Sequence, residues 1–278
     1  MASLKVLAYA KLNLVLRIVG RREDGYHLLQ SLFCAVDLAD EIELEPLPRG
    51  IEIVAPAELG PPEGNLAYRA AKLLLGENGP GVRIVLRKRI PPGAGLGGGS
   101  SDAAAVLAGL NLLYGLHKSA EDLRNQAAKL GADVPFFLGR SPAWVEGIGE
   151  RLTPLDLPLP FVFLLVIPPY PCPTAEVYRA YDALRFPFSP VGPIPKIPPF
   201  PNDLWPAAVQ VRPALRALRE TLESFPSLGV GLSGSGSTLF LAFPSQEAAE
   251  AARKELQDKV EAQLWIARPV EKGYKIVG

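Results

Sequence analysis

The chain has 278 residues, of which 48% are hydrophobic and 21% charged, so it is long and apolar enough for one large domain or two ordinary ones. Lysine plus arginine and aspartate plus glutamate number 29 each, and this neutral balance argues against a nucleic-acid-binding protein that works by counterion release. The start lacks the apolar core of a signal peptide, and no run of about 18 apolar residues indicates a membrane span. The two cysteines fit no metal-ligand pattern, so we expect reduced thiols in a cytoplasmic protein. From the charge balance and the lack of a long apolar run, we expect neither nucleic-acid nor membrane partners.

The first strands are predicted over residues 4–19, where apolar side chains recur at every second position. Leu12 and Leu14 then lie on one face, and Lys11 and Asn13 lie on the other. From this pattern alone, Lys11 is as readily a solvated surface lysine as a functional one.

A turn at Asp24-Gly25 precedes Tyr26 and His27, which open an apolar segment. These two residues are either a packed tyrosine beside a surface histidine or part of a ligand pocket. The other histidine, His117, lies in a polar connection and is predicted to be structural or exposed.

Two short strands are predicted at residues 41–45 and 51–54. Asn65 stands at the start of a helix that runs through Leu74, and asparagine is a favoured N-cap residue. The next strand is predicted over residues 82–90, where Val, Ile and Leu alternate with other residues.

A glycine-rich loop joins that strand to a helix. Its residues are Pro91, Pro92, Gly93, Ala94, Gly95, Leu96, Gly97, Gly98, Gly99, Ser100 and Ser101. Glycines let the backbone approach a phosphate closely, and the free N–H groups at a helix N-terminus favour negative charge. Ser100 or Ser101 is predicted to cap the helix and to turn a hydroxyl toward a phosphate or a metal ion. The loop therefore predicts a phosphate cradle.

Two other nucleotide motifs fit this loop less well. Gly93, Gly95 and Gly98 satisfy G-x-G-x-x-G, but a dinucleotide site requires an acidic residue about 20 positions later, where residues 112–114 are Leu-Leu-Tyr. A Walker motif requires a lysine at the position of Gly99.

A second helix is predicted over residues 119–130, because Ser119 and Asp122 have the spacing of a capping box. Asp133 follows as the predicted N-cap of another helix, with Pro135 in its first turn. A cap position would also hold the carboxylate in a defined place.

In the second half, the continuous apolar run at residues 161–167 is typical of a buried strand. A helix over residues 175–184 carries Tyr178, which is either a core or a site aromatic. Residues 186–201 contain seven prolines, which exclude regular structure there. Asn202-Asp203-Leu204 is predicted to cap a helix. The remaining predicted elements are a strand at 143–145, a helix at 213–225, strands at 230–232 and 238–243 around a serine-glycine turn at 233–237, a helix at 246–259 and a last strand at 263–268.

Three motifs resemble those of the GHMP kinases, a family that includes galactokinase and the homoserine, mevalonate and phosphomevalonate kinases. They are the glycine-rich loop, residues 9–14 (Tyr-Ala-Lys-Leu-Asn-Leu) and residues 231–237 (Gly-Leu-Ser-Gly-Ser-Gly-Ser). Their order and their spread over most of the chain make the resemblance specific. Residues 20–27 and 131–137 are also similar to one branch of the family, whose small-molecule substrate is a cytidine diphosphate sugar alcohol.

The resemblance implies an α/β (α+β) two-domain GHMP-kinase-like fold with the active site in the cleft between the domains. The ATP-binding domain is expected at residues 1–152 and a ferredoxin-like, substrate-side domain at residues 153–278. The implied reaction transfers the γ-phosphoryl group of ATP to the 2-hydroxyl of the acceptor in isoprenoid precursor biosynthesis, with Mg²⁺ as a further cofactor. The metal ligands stay open, and we expect a monomer or a weak homodimer.

The resemblance also implies roles for individual residues. Lys11 is expected beside the catalytic aspartate and the substrate hydroxyl, and Asp133 is expected to take the proton. The cytosine ring is expected against Tyr26, His27 and Tyr178. The glycine-rich loop would hold the phosphates of ATP, and the other implied contacts are those of Asn65 and Leu66 with adenine and those of Asn13, Ser233 and Gly234 with the acceptor.

Two rival interpretations stay open at this point. Another GHMP kinase acting on a smaller alcohol would leave Tyr26 and His27 unexplained. A non-catalytic nucleotide-binding protein would have no use for both Lys11 and Asp133.

Overall fold

The computed structural model describes residues 3–277, with Glu58 described by its backbone alone. Within that range the strands are β1 (Leu4–Arg21), β2 (His27–Leu47), β3 (Ile51–Val54), β4 (Gly81–Arg87), β5 (Ala143–Gly147), β6 (Arg151–Pro154), β7 (Val162–Ile167), β8 (Gly229–Leu232), β9 (Leu239–Phe243), β10 (Gln263–Ala267) and β11 (Tyr274–Val277). The α-helices are α1 (Leu66–Leu75), α2 (Gly98–Leu113), α3 (Ala120–Ala128), α4 (Val134–Leu138), α5 (Thr174–Leu184), α6 (Trp205–Val211), α7 (Ala214–Glu223) and α8 (Gln246–Leu256). Among these described helices, none has the length and apolar character that crossing a bilayer requires.

The first sheet is built on a long antiparallel hairpin of β1 and β2. Its order is β11-β1-β2-β4-β3, and β5 and β6 extend it from β2. The predicted alternation in β1 is confirmed, because Leu12 and Leu14 are fully buried in a core shared with Phe163 of β7 and Phe240 of β9. Helices α1 and α2 pack on the opposite side of the hairpin and form a second core with it.

The second sheet has four antiparallel strands in the order β10-β7-β9-β8. In chain order, a strand, helices α5 to α7, two strands, helix α8 and a final strand make a β-α-β-β-α-β unit, the ferredoxin-like arrangement. This confirms the ferredoxin-like prediction. Between α5 and α6, residues 186–201 form neither helix nor strand, as their prolines predict.

Two strand predictions need correction. Strand β4 ends at Arg87, three residues before the predicted end at residue 90, because the amides of Arg89 and Ile90 donate to the carboxylate of Asp40 and not to a neighbouring strand. Residues 263–268 do not contain the last strand, since β11 follows and pairs antiparallel with β1 in the first sheet. The C-terminal residues therefore return to the sheet that begins the chain.

Helix capping is predicted correctly for α1 and α3 and wrongly for α2. Asn65 accepts a hydrogen bond from the Ala67 amide at 2.9 Å, and Ser119 forms its capping box with Asp122. The N-cap of α2, however, is Gly97, and the helix already begins at Gly98. The prediction that Ser100 or Ser101 caps this helix is therefore wrong, since both lie inside its first turns.

The side chain of Asp133 does not cap α4, although the residue occupies the N-cap position. Its backbone has φ −82° and ψ −17°, whereas a capping residue has extended dihedrals, and no amide hydrogen bond reaches the carboxylate. The predicted cap is wrong in this respect. The carboxylate is consequently available for another role.

The Asn202-Asp203-Leu204 stretch leads into α6, where the Asn202 side-chain oxygen accepts a hydrogen bond from the Leu204 backbone amide at 2.9 Å, although Leu204, at the N-cap position, provides no side-chain cap itself. The Asn202 amide nitrogen donates to the carbonyls of Leu232 and Gly234, each at 2.8 Å. Asp203 accepts a hydrogen bond from the Ile18 amide of β1 at 2.8 Å. These contacts hold the serine-glycine turn beside the first sheet.

Candidate active site

A cleft of about 850 Å³ lies between the glycine-rich loop, β1 and α5, and we call it the central cleft. The predicted site residues that line it are Lys11, Asn13, Tyr26, His27, Asn65, Leu66, Pro91, Pro92, Gly93, Ala94, Gly95, Leu96, Gly97, Gly98, Gly99, Ser100, Asp133, Tyr178 and Gly234. Ser101 and Ser233 do not line it, and both are fully buried.

Ser101 and Ser233 support the loop from behind. The Ser101 hydroxyl donates to the Gly273 carbonyl at 3.4 Å, which directs it toward the C-terminal segment. The Ser233 hydroxyl donates to the Gly95 carbonyl at 2.9 Å and accepts from the backbone N–H of Asn13 at 3.4 Å. The residues are thus placed to hold the loop, whereas the prediction assigned them to ligands.

The path of the glycine-rich loop is determined by close backbone contacts. Gly95 and Gly97 have φ of 78° and 71°, a region that side chains other than glycine rarely adopt. A Cβ atom on Gly95 would collide with the carbonyl oxygen of Ser233, and one on Gly97 would lie 2.9 Å from the ring of Phe137. At Gly99, in contrast, the nearest atom would be a Leu66 methyl at 3.8 Å, so that position faces open space in the cleft.

Lys11 and Asp133 meet on the floor of the central cleft, with 3.7 Å between Nζ and Oδ2. Lys11 is only 4% exposed, so the interpretation as a solvated lysine is wrong. Its ammonium donates a hydrogen bond to the Asn13 side-chain oxygen and lies 4.7 Å from the centre of the Phe33 ring. Burial lowers the pKa of Lys11, and Asp133 partly counteracts that effect.

A second lysine, largely but not fully buried and not indicated by any local sequence pattern, lies beside the glycine-rich loop. Lys88 follows β4, and its ammonium pairs with Asp40 of β2 and, at 2.7 Å, with Asp102 of α2. Lys88 and Asp102 both line the cleft beside Gly98. The Lys88 ammonium would lie 3.2 Å from a Cβ atom on Gly98, so a positive charge is present although the Walker lysine position is glycine.

The charges of this cluster are not fully balanced, since two carboxylates share one ammonium. Burial raises the pKa of Asp102 to about 7, although Lys88 acts in the opposite direction. Burial by itself lowers the pKa of Lys88, but the two carboxylates outweigh it and raise that pKa overall. One oxygen of Asp102, Oδ1, is buried and has no hydrogen-bond partner among residues 3–277. The position of Asp102 directly after the glycine-rich loop is the feature of the sequence that could have indicated this charged cluster.

An aromatic group lies at the far end of the cleft, where α5 faces the hairpin. Tyr26 is 61% exposed, and the ring centres of His27 and Tyr178 are 4.9 Å apart. His27 Nε2 is 2.7 Å from a carboxylate oxygen of Asp182, which the sequence analysis also missed. Tyr178 and Asp182 are four residues apart on α5, the spacing that places them on one face of the helix.

Comparison with known proteins shows what this geometry resembles. The family model of the GHMP kinases N terminal domain matches residues 65–140, and the model of the GHMP kinases C terminal domain matches residues 202–262. A 4-diphosphocytidyl-2-C-methyl-D-erythritol kinase of Syntrophus aciditrophicus (strain SB) is 40% identical over 264 residues, which span 90% of this chain and 93% of that protein. The chain belongs to the GHMP kinase family, in the branch of the 4-diphosphocytidyl-2-C-methyl-D-erythritol kinases.

Other members of this branch agree. The kinase of that name from Thermus thermophilus is 46% identical over 244 residues, covering 84% of this chain and 86% of that protein. A crystal structure of 4-(cytidine 5'-diphospho)-2C-methyl-D-erythritol kinase superimposes with a TM-score of 0.81 at 41% identity, over 95% of this chain and 98% of that one. The two-domain GHMP-kinase fold expected from the motifs is thereby confirmed, while the domain boundary at residue 152 stays a prediction.

Replacing Gly99 with valine should block the phosphate cradle without disturbing the fold. The side chain would enter the open space of the cleft, so we expect ATP affinity to fall at least about tenfold, a loss of about 1.4 kcal/mol, with little change in thermal stability. Calorimetric titration with ATP and thermal denaturation check both expectations. Gly192→Val is the matched control, because Gly192 lies outside the cleft and a Cβ atom there would have only Arg17 within 4 Å, at 3.5 Å. Unchanged ATP affinity in Gly99→Val would remove the loop from the ATP site.

Replacing Asp102 with asparagine should change how stability depends on pH. The folded-state pKa is raised to about 7 from 3.8, so between those values the folded protein holds a proton that the unfolded chain has lost. This group therefore stabilises the fold less as pH rises from about 4 to about 7, and we expect Asp102→Asn to gain stability relative to wild type between pH 5 and pH 8. Urea denaturation at both values measures the difference. Glu121→Gln, at an exposed position of α3, removes the same charge and should show no such gain. If the free energy of unfolding of Asp102→Asn changes with pH just as that of the wild type does, the expectation is contradicted.

Proposed function

We propose that this chain is an ATP-dependent kinase that phosphorylates the 2-hydroxyl of 4-diphosphocytidyl-2-C-methyl-D-erythritol in the non-mevalonate isoprenoid pathway. One observation carries the proposal: a single cleft joins a phosphate-type glycine loop, a lysine–aspartate pair and an aromatic group with a histidine. A kinase for a smaller alcohol has no need of the third part. The similarity to kinases of that name over nine-tenths of the chain supports the same substrate.

The glycine-rich loop is the proposed site for the ATP phosphates. It leads into α2 at Gly98, so unpaired amides and the positive end of the helix dipole face the cleft. Asn65 and Leu66 lie on the same wall and are proposed to border the adenine. The Asn65 side chain caps α1. We therefore infer that Asn65 contributes more by shaping the wall of the cleft than by hydrogen-bonding the adenine directly.

Asp133 is the proposed general base, and Lys11 is the residue that orients it. An alcohol is a weak nucleophile, and a carboxylate within reach can accept its proton as the bond to phosphorus forms. The 3.7 Å between Lys11 and Asp133 leaves room for a hydroxyl to contact both groups. Asn13 accepts a hydrogen bond from Lys11 and donates another to Ser31 at 3.0 Å, so the lysine is held in one orientation.

Mg²⁺ is proposed as the cation that accompanies ATP. The described residues contain no group of three or more histidine, cysteine, aspartate or glutamate side chains that could hold a metal. Magnesium commonly takes one or two protein ligands and completes its coordination shell with phosphates and water. A site with few protein ligands is therefore compatible with Mg²⁺. Ser100 lines the cleft and Asp102 has an oxygen without a partner in the described part of the chain, and these two would hold the ion. Bound there, the ion would neutralise phosphate charge.

The acceptor is proposed to lie with its cytidine end at Tyr26, His27 and Tyr178 and its hydroxyl at Asp133. The exposed ring of Tyr26 is free to stack on a base. Gly234 lines the cleft near Lys11, which supports a site for the acceptor phosphates beside the serine-glycine turn. A cytoplasmic location and a monomeric or weakly dimeric state stay predictions.

A direct test of the function compares two acceptors. The chain, ATP and magnesium are incubated with 4-diphosphocytidyl-2-C-methyl-D-erythritol or with the same sugar alcohol lacking cytidine, and phosphorylated product is detected by mass spectrometry. We expect rapid turnover only with the cytidine compound. Equal turnover of both acceptors would favour a kinase for smaller alcohols, and no turnover of either would contradict the proposed reaction.

Replacing Asp133 with asparagine should separate catalysis from binding. The carboxylate makes no capping hydrogen bond, so the amide removes charge and basicity at little cost in stability. We expect turnover to fall at least about 100-fold, the low end of what a positioned base contributes, with ATP affinity within a few-fold of wild type. Steady-state kinetics and calorimetry measure the two quantities.

Two sets of variants serve as controls for the Asp133 experiment, one outside the cleft and one at its partner Lys11. Asp156→Asn, at an exposed position outside the cleft, should behave like wild type. Lys11→Met should lower turnover similarly, and the double variant with Asp133→Asn should lose less than the product of the single effects, because the two act as a unit. Near-normal turnover in folded Asp133→Asn would exclude it as the base.

A further inference from the structure

The imidazole of His27 forms a hydrogen bond with the carboxylate of Asp182. Its Nε2 lies 2.7 Å from Oδ1 of Asp182, whose other oxygen is 3.4 Å from a guanidinium nitrogen of Arg21. An ionised carboxylate only accepts hydrogen bonds, so the proton of a neutral imidazole must be on Nε2. The Nδ1 atom of His27 is then a lone-pair acceptor.

The position of the ring leaves Nδ1 as its remaining polar atom. The side chain of His27 is 7% exposed, and the rings of Tyr178 and Tyr181 lie 4.9 and 5.8 Å from it. Among residues 3–277, the hydrogen bond of the His27 ring is the one that Nε2 makes with Asp182. Since His27 lines the central cleft, this acceptor is available to a ligand there.

The two pyrimidine bases differ in what they present to such an acceptor. Cytosine carries an exocyclic amino group that donates hydrogen bonds, whereas the corresponding atom of uracil or thymine is an oxygen that accepts them. At this exocyclic position, a lone pair on Nδ1 therefore matches the amino group of cytosine and repels the oxygen of uracil. With the opposite tautomer, Nδ1–H would match uracil instead.

We propose that Asp182 is a positioning residue that fixes the Nε2–H tautomer of His27 and thereby makes the site prefer cytosine to uracil. This rests on the proposed function, since it assumes that the base of the acceptor lies at His27. Asp182 itself does not have to touch the base.

A merely stabilising role for Asp182 fits the surroundings less well. Its side chain is 32% exposed and that of Arg21 is 48% exposed, and ion pairs in such positions contribute little to stability. The hydrogen bond to the buried imidazole is the short one, at 2.7 Å. The effect of Asp182 should therefore be seen in the state of His27 rather than in unfolding.

The tautomer can be read directly by nuclear magnetic resonance. The chain contains two histidines, so protein labelled with ¹⁵N-histidine gives two ring systems, and His117→Asn identifies the signals of His27. His117 has a φ of 51°, which asparagine tolerates, so this substitution is compatible with the fold. At pH 8 we expect a long-range ¹H–¹⁵N spectrum to show a protonated Nε2 and an unprotonated Nδ1. An Nδ1–H tautomer or a doubly protonated ring in the wild type would overturn the proposal.

Asp182→Leu then tests the cause. We expect the His27 nitrogens to move to the averaged shifts of two exchanging tautomers. The ratio of kcat/KM for the cytidine acceptor to that for its uridine counterpart should fall at least about tenfold, since the site loses a directed contact that distinguishes the bases. The change should appear mainly in KM for the cytidine compound. Glu176→Leu, an exposed carboxylate on the same helix outside the cleft, should leave both the spectrum and the ratio unchanged.

The remaining outcomes separate the two proposals. A wild-type tautomer that persists in Asp182→Leu would overturn the role of Asp182, and so would equal losses on both acceptors. If the wild type phosphorylates neither acceptor, the proposed function fails and the preference fails with it, even though the spectrum still reports the tautomer.

Discussion

The contact between the glycine-rich loop and the serine-glycine turn is the constraint on which the rest of the structure depends. At Gly95 the loop approaches the backbone of Ser233 so closely that a Cβ atom would not fit. The Ala94 carbonyl accepts a hydrogen bond from the Thr238 amide at 3.1 Å. One partner in this contact leads into α2 and the other connects the strands of the second sheet. The path of the glycine-rich loop is therefore shaped by both halves of the chain.

The same architecture explains how a charged pair can be held on a strand of the core hairpin. One face of β1 carries the apolar side chains that join the two sheets, and the alternate face carries Lys11 and Asn13 into the cleft. Burying an ammonium is costly unless it has partners, and Asn13 and Asp133 supply them. Asp133 lies at the start of α4, and its carboxylate makes no hydrogen bond that caps this helix.

Local signals in the sequence were sufficient where neighbouring residues determine the structure. Asn65 and the pair Ser119 and Asp122 cap their helices as expected, because the capping atoms lie within three residues of their partners. Signals failed where distant segments decide. The pairing of β11 with β1 depends on the packing of the whole sheet, and the partners of Lys88 lie 48 and 14 residues away from it. The capping role of Ser100 or Ser101 failed because Gly97, in a left-handed conformation, starts the helix earlier.

The two lysines of the cleft, Lys11 and Lys88, differ in what they can still bind. Lys88 has a carboxylate on each side, and the close contacts with Asp40 and Asp102 engage its ammonium in balancing their charge. Lys11 hydrogen-bonds a neutral amide and lies 3.7 Å from its single carboxylate, so it retains donors for a further oxygen. A hydroxyl placed between Lys11 and Asp133 would complete that arrangement. We therefore propose that Lys88 balances the two carboxylates beside the loop, whereas Lys11, with one carboxylate nearby, is the lysine that contacts the substrate.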